Sequence, residues 1–189
     1  MEKREYVSLD PVTREIPAVL ITAAKALFFP LTAEDRADIQ TLDEQYDSEE
    51  NCAGLAAPQI GIAKQVIVFS APEDPQLKKW RKDFTQTMEK TIWVNPSYEA
   101  FGEEMHEDYE SCFSTADLAG PVKRYCKIRY RAYSVEGVLI EGIAEGFLAR
   151  IMQHEIDHVH GKLFIDYVPE DQLLPVGEYR KKRAAALEG

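Results

Sequence analysis

The stretch His154-Glu155-Ile156-Asp157-His158 places two histidines four residues apart, with a glutamate directly after the first of them. On an α-helix, positions i and i+4 lie one above the other, so both imidazoles can reach a single metal ion. Glu155 then projects close to the open side of that ion, where a metal-activated water is the expected reagent. Phe147 and Ile151 share one helical stripe with the two histidines. The pattern predicts a metal-binding helix whose stripe faces the core.

Two histidines are too few for a catalytic site of this kind, which usually has three protein ligands. His160 follows His158 by two residues, so on a continuing helix it points to a different face and cannot share the ion. Upstream, Cys112 offers a thiolate in the run Tyr109-Glu110-Ser111-Cys112-Phe113-Ser114. Downstream carboxylates without a recognisable spacing also remain, namely Asp166, Glu170, Asp171 and Glu178.

Three segments in order carry a family resemblance: Gly54-Leu55-Ala56-Ala57-Pro58-Gln59, then Glu110-Ser111-Cys112-Phe113-Ser114, then the histidine motif closed by Gly161. They resemble the three signature motifs of the peptide deformylases, and the likeness extends from about Cys52 to Val168. The resemblance implies a metal-dependent hydrolase. Its substrate would be the N-terminal formylmethionine of newly made polypeptides, and its products would include formate.

By the same resemblance, Cys112, His154 and His158 are the metal ligands, and each chain binds one ferrous ion. Thiolate and imidazole ligands also suit zinc, nickel or cobalt, so the residues alone do not select the metal. Glu155 would take a proton from water and return it to the leaving amine. Gln59 and the backbone N–H of Phe113 would donate to the oxygen of the tetrahedral intermediate.

The substrate peptide is expected to bind as an added β-strand, because Gly54 lets the loop backbone approach an extended chain. Ala53, Phe147 and Ile151 are the expected walls of a slot for the methionine side chain. Core packing explains Phe147 and Ile151 equally well. Glu110 and Arg124 match family positions that are usually acidic and basic, which predicts a structural ion pair.

Three residues depart from the family pattern: Cys52 and Ser111 stand at glycine positions, and Phe113 stands where leucine is usual. Neither Cys52 nor Ser111 takes positive φ as readily as glycine, so altered pocket walls are expected. The departures also keep open a non-catalytic relative that binds a metal or peptide. A metallopeptidase of another fold is the second alternative, and it would take its third ligand from downstream.

The chain has 189 residues, of which 45% are hydrophobic, so one catalytic domain spanning residues 1–189 is expected. Three cysteines provide no disulfide framework, no apolar run is long enough for a membrane span, and the N-terminus lacks the apolar core of a signal peptide. These features predict a cytoplasmic protein without membrane contact.

The net charge of −11 argues against broad nucleic-acid binding. The exception is the basic run Arg180-Lys181-Lys182-Arg183. One hypothesis is a transient contact of this run with ribosomal RNA near the exit of the nascent chain, and the alternative is a solvated terminal helix.

Apolar patterning predicts an α+β fold in which antiparallel strands pack around the central metal-binding helix, with N-terminal helices and a C-terminal helix. The N-terminal helices are expected over Pro17–Phe29 and from a Thr32 N-cap to about Tyr46. The expected strands are Gln65–Phe69, Thr91–Val94 ended by Asn95-Pro96, and a hairpin of Tyr125–Val135 with Val138–Ile140.

Overall fold

Five α-helices and eight strands make up the fold of the chain, of which a computed structural model describes residues 3–188. The helices are α1 (Ala18–Ile21), α2 (Ala33–Asp47), α3 (Pro75–Trp80), α4 (Gly146–Val159) and α5 (Val176–Glu188). The strands are β1 (Gly54–Ala56), β2 (Val66–Ala71), β3 (Met88–Ala100), β4 (Met105–Ser111), β5 (Leu118–Tyr125), β6 (Lys127–Tyr133), β7 (Leu139–Glu145) and β8 (Leu174–Pro175). The predicted α+β class is confirmed.

The strands form two sheets, and helix α4 contacts both of them. The larger sheet has the order β1-β2-β3-β6-β7, and the smaller has the order β4-β5-β8. All pairings are antiparallel. Strand β1 lies at one edge of the larger sheet and β4 at one edge of the smaller sheet. Residues 154–158 on helix α4 therefore lie next to both sheets.

Helix α4 is buried over most of its surface, and its buried residues include charged ones such as Arg150, Glu155 and Asp157. Met152 and Ile156 pack in one core cluster with Phe69 and Trp93 of the larger sheet. The helix begins at Gly146, whose φ of +58° favours glycine. A Cβ at Gly146 would lie 2.0 Å from the carbonyl oxygen of Asp83, so only glycine fits there.

The predicted helix over Pro17–Phe29 is wrong, because only Ala18–Ile21 is helical. The rest of the segment lies extended along its neighbours: the N–H of Ala24 donates to Val159 O and the N–H of Lys25 to Ala63 O, both at 2.9 Å. Tertiary hydrogen bonds thus replace those of a helix. The apolar side chains that suggested helical spacing, including Leu27, are buried in this extended form.

The predicted Thr32 N-cap is confirmed by a capping box at the start of α2. Thr32 Oγ1 accepts from the N–H of Asp35 at 3.1 Å, and Asp35 Oδ2 accepts from the N–H of Thr32 at 3.0 Å. The helix ends at Asp47, one residue beyond the expected end. Asp35 also forms an ion pair of 2.8 Å with Lys64, which ties α2 to the loop before β2.

The predicted end of the strand Thr91–Val94 at Asn95-Pro96 is wrong, since β3 continues to Ala100. An irregularity in the pairing with β6 falls between Val94 and Ser97, and it accommodates Pro96. The side chain of Asn95 bonds both the N–H and the carbonyl of Leu27 at 2.8 Å. The hairpin of β6 and β7 is confirmed, with its turn over residues 134–138.

The C-terminal helix is confirmed as α5. Within residues 3–188, none of the helices has the length and apolar composition needed to cross a membrane.

Candidate metal centre and active site

Cys112, His154 and His158 bring three metal-ligating atoms within 4.8 Å of one another. Cys112 directly follows β4, and the two histidines lie one turn apart on α4. His158 Nε2 lies 3.3 Å from Cys112 Sγ and 3.3 Å from His154 Nε2. His158 Nε2 is thus equally far from the other two ligating atoms.

The three residues fit a single ion of the zinc or ferrous class. A tetrahedral ion with usual bond lengths separates its nitrogen and sulfur ligands by roughly 3.3 to 3.6 Å, which matches the observed spacing. Mixed thiolate and imidazole donors suit the same class of metals. His154 Nδ1 is 2.9 Å from Glu110 Oε2, so a carboxylate orients this ring and directs Nε2 toward the other donors.

A buried network of ion pairs holds Glu110, the partner of His154, in place. Glu110 accepts two hydrogen bonds from Arg124, each 2.9 Å long, and one of 2.8 Å from Arg150. Burial opposes ionisation of Glu110, but Arg124 and His154 hold its pKa below the usual range. Arg124 also pairs with Asp157, which accepts from the hydroxyls of two tyrosines. The predicted pair of Glu110 and Arg124 is confirmed.

Glu155 is buried beside the three donors, and its Oε2 has no hydrogen-bond partner among the described residues. Burial raises the pKa of Glu155 to about 7, with His154 acting in the opposite direction. The side chain packs directly on Gly54, where a Cβ would lie 2.5 Å from Glu155 Cγ. A carboxyl group in this position can exchange a proton near neutral pH.

Gln59 lies on the short 3-10 turn that follows β1, and its amide orientation is set by the chain. Its Oε1 accepts from the N–H of Ala56 at 2.8 Å, so its Nε2 points to Cys112 Sγ, 3.1 Å away. Sγ takes one of the two amide hydrogens, and the second remains for a ligand. Within the described part of the chain, the N–H of Phe113 has no hydrogen-bond partner.

Gln59, Cys112, Phe113, His154 and Glu155 line one cavity of about 560 Å³. All four residues expected to bind substrate lie on its wall: Ala53, Gly54, Phe147 and Ile151. His160, by contrast, caps α4 and its Nε2 lies 3.2 Å from Pro96 O, away from the three donors. Among residues 3–188, the cluster suited to a metal includes none of the downstream carboxylates.

Comparisons with known proteins identify the family of this chain. The family model for polypeptide deformylase matches residues 17–173. The chain belongs to the peptide deformylase family. It is 56% identical over 165 residues to peptide deformylase 2 of Rickettsia conorii, covering 87% of this chain and 82% of that protein. It is 36% identical over 156 residues to peptide deformylase 2 of Ralstonia nicotianae, covering 82% and 85% respectively.

Solved structures show the same fold. A class I type b peptide deformylase from Acinetobacter baumannii, crystallised with Met-Ala-Ser bound, superposes with a TM-score of 0.74 at 25% identity. That match covers 88% of this chain and 99% of the other. The peptide deformylase of Ehrlichia chaffeensis gives a TM-score of 0.73 at 23% identity and covers 99% of this chain and 94% of that one.

The departures from the family motifs have structural explanations. Neither Cys52 nor Ser111 adopts positive φ, so in this chain neither position needs the conformational freedom of glycine. Ser111 is the last residue of β4 and pairs with Ala119. The Cys52 thiol donates to Gly54 O at 3.0 Å. The ring of Phe113 stacks on Tyr6 with centroids 4.5 Å apart.

Sequence reasoning missed residues that tertiary packing brings to the cavity. Arg81 lies over the ring of Phe147 at 4.5 Å and pairs with Asp108. From α5, Tyr179 stacks on Tyr109 with centroids 4.9 Å apart. The remaining such residues on the wall are Glu50, Asn51, Asp117, Arg150, Val176 and Arg180. No local motif marks these residues, because they lie outside the three motif segments.

Proposed function

We propose that this protein is a metal-dependent hydrolase that removes the formyl group from the N-terminal formylmethionine of newly made polypeptides and releases formate. The observation that carries the proposal is the meeting of Cys112, His154 and His158 beside Glu155, at a peptide-sized cavity that Cys112, His154 and Glu155 line. Membership of the peptide deformylase family supports the same reaction.

One ferrous ion per chain is the proposed cofactor, with zinc, nickel or cobalt as alternatives. Cys112, His154 and His158 would hold it, and Glu110 would orient His154 through the bond to Nδ1. When bound, the ion supplies Lewis acidity at the formyl group and activates water.

Glu155 is proposed to move the protons of the reaction. Hydrolysis adds water oxygen to the formyl carbon and breaks the bond from that carbon to the methionine nitrogen. Glu155 takes a proton from the water and delivers it to the departing nitrogen, which leaves as an amine. Its Oε2, which has no hydrogen-bond partner among the described residues, and its pKa of about 7 support this exchange.

Gln59 and Phe113 are proposed to stabilise the negative oxygen that forms on the formyl carbon. Gln59 would use the amide hydrogen that Cys112 Sγ does not take, and Phe113 would use its backbone N–H. Donors placed in advance at such a site supply about 3 to 4 kcal/mol of transition-state stabilisation each.

The peptide is proposed to add as a strand at the edge formed by β1. This strand pairs on one side only, with β2, and Gly54 lies on the cavity wall. Backbone pairing gives affinity without selecting side chains, which suits an enzyme that acts on many proteins. Ala53, Phe147 and Ile151 would form the slot for methionine. The wall takes residues from Glu50 to Arg180, which supports one catalytic domain over residues 1–189.

Formate release tests this function. The protein is loaded with Fe(II) under anaerobic conditions and assayed on formyl-Met-Ala-Ser. We expect formate from the wild type, loss of metal and activity in Cys112→Ala, and retained metal without activity in Glu155→Gln. Cys126→Ala is the matched control, because Cys126 is another half-buried free thiol but lies outside the cavity. Wild-type protein that holds iron and releases no formate would favour the non-catalytic relative.

The contact with ribosomal RNA remains a proposal, and the structure supports only part of the basic run for it. Arg183 donates to Asp108 and Arg180 lines the cavity, whereas Lys181 and Lys182 are exposed. Ribosome co-sedimentation of a Lys181→Glu/Lys182→Glu variant tests it, with Lys78→Glu/Lys79→Glu as the control of equal charge change. Equal binding of both variants would rule the contact out. Nascent chains emerge in the cytoplasm, where we propose that the enzyme acts.

A further inference from the structure

Residues Tyr6–Leu9, here called the N-terminal strap, lie across two loops that border the active site. The N–H of Val7 donates to Gln59 O at 2.8 Å, and the N–H of Leu9 donates to Ser114 O at 3.0 Å. Between them, Ser8 Oγ accepts from the N–H of Ala116 at 3.1 Å. The strap precedes residue 17, where the match to the family model begins.

The strap also makes an aromatic contact with the loop after β4 that carries Cys112 and Phe113, here called the metal-binding loop. The ring of Tyr6 stacks on Phe113 with an interplanar angle of 13°, and its hydroxyl donates to Glu49 at 2.7 Å. Phe113 is 42% exposed, so its ring is held on one side by Tyr6 and not by a surrounding core. This contact gives a physical reason for an aromatic residue at a position where the family motif usually has leucine.

The two loops belong to different sheets. Gln59 follows β1 of the larger sheet, and Phe113 follows β4 of the smaller one. Their direct link is the side-chain hydrogen bond from Gln59 Nε2 to Cys112 Sγ. The strap adds backbone hydrogen bonds on both sides, so it ties the main chain of one loop to that of the other.

We propose that the N-terminal strap is a positioning element that sets the separation of Gln59 and the Phe113 N–H, the two donors assigned to the negative oxygen. The inference rests on the proposed function. Donors in such a site act only when they are held at hydrogen-bond distance from the developing charge, so a looser strap slows the reaction without weakening peptide binding. Tyr6 and Phe113 together hold the strap on the metal-binding loop.

The test measures kcat and KM for formyl-Met-Ala-Ser with Fe(II)-loaded protein. Tyr6→Ala is expected to lower kcat roughly tenfold or more, with KM and iron content unchanged, because misplaced catalytic groups cost rate. Tyr6→Phe keeps the stack and is expected to retain the wild-type kcat. Tyr133→Ala is the matched control, since it removes a different aromatic pair, with Phe29, away from the cavity.

Phe113→Leu gives an independent arm because it leaves the backbone N–H in place. Its loss of kcat should equal that of Tyr6→Ala. The double variant should be no slower than either single variant, since both substitutions remove the same contact between Tyr6 and Phe113. Wild-type kcat in Tyr6→Ala, additive losses, or a loss carried by KM or iron content would overturn the strap proposal. A wild type that releases no formate would overturn the proposed function and the strap with it.

Discussion

Arg124 lies at the centre of the buried ion network, and Arg124→Met tests whether that network stabilises the fold. The side chain is 3% exposed and bridges the carboxylates of Glu110 and Asp157. Removal of one partner from a buried ion pair leaves a charge without compensation, which costs about 3 to 5 kcal/mol. For a chain of this length the melting temperature should fall by roughly 6 to 20 °C.

Urea unfolding followed by tryptophan fluorescence, to which buried Trp93 contributes, would measure this difference. Wild type and variant are compared with the same ion in excess, because a ligand that binds only the folded state adds stability. Arg129→Met is the matched control: it breaks an arginine–glutamate pair whose side chains, Arg129 and Glu99, are 56% and 67% exposed. Exposed pairs contribute about 0 to 1 kcal/mol. A loss in Arg124→Met no larger than that of the control would refute the reasoning.

Three further predictions follow from local geometry. Gly54→Ala places a Cβ 2.5 Å from Glu155 Cγ, so kcat should fall on the order of 10²-fold, whereas Gly177→Ala, with open space around it, should retain activity. Arg180→Ala should lower kcat/KM for formyl peptides that carry an acidic residue by about two- to fivefold and leave neutral peptides unchanged, because Arg180 is a cationic side chain on the cavity wall. Hydrogen bonds from Lys64 and Thr32 lower the pKa of Asp35 to about 2, so its stabilisation is present above the unfolded pKa of 3.8 and is lost as pH falls through about 2. The free energy of unfolding of Asp35→Asn, measured in urea, should therefore differ from wild type at about pH 6 and converge with it between about pH 4 and 2.

Local patterns predicted those parts of the fold that local hydrogen bonds stabilise. The Thr32 capping box, the β6–β7 hairpin and helix α5 all satisfy their backbone groups within a short stretch of chain. The same reasoning failed over Pro17–Phe29, where Ala24 and Lys25 bond to distant residues. It also failed at Asn95-Pro96, because the pairing of β3 with β6 is stable enough to continue past an irregularity.

The sequence by itself identified the residues that we propose carry the chemistry: two histidines and a glutamate at helical spacing, a cysteine in its own motif, and a glutamine in a small-residue loop. The chemistry requires these residue types at this spacing, so they can be recognised in the sequence alone. Tertiary structure alone decided what surrounds them. Arg81, Tyr179 and the N-terminal strap reach the site from segments far apart in the chain. Such contacts depend on how sheets and helices pack, and packing leaves no local pattern to read.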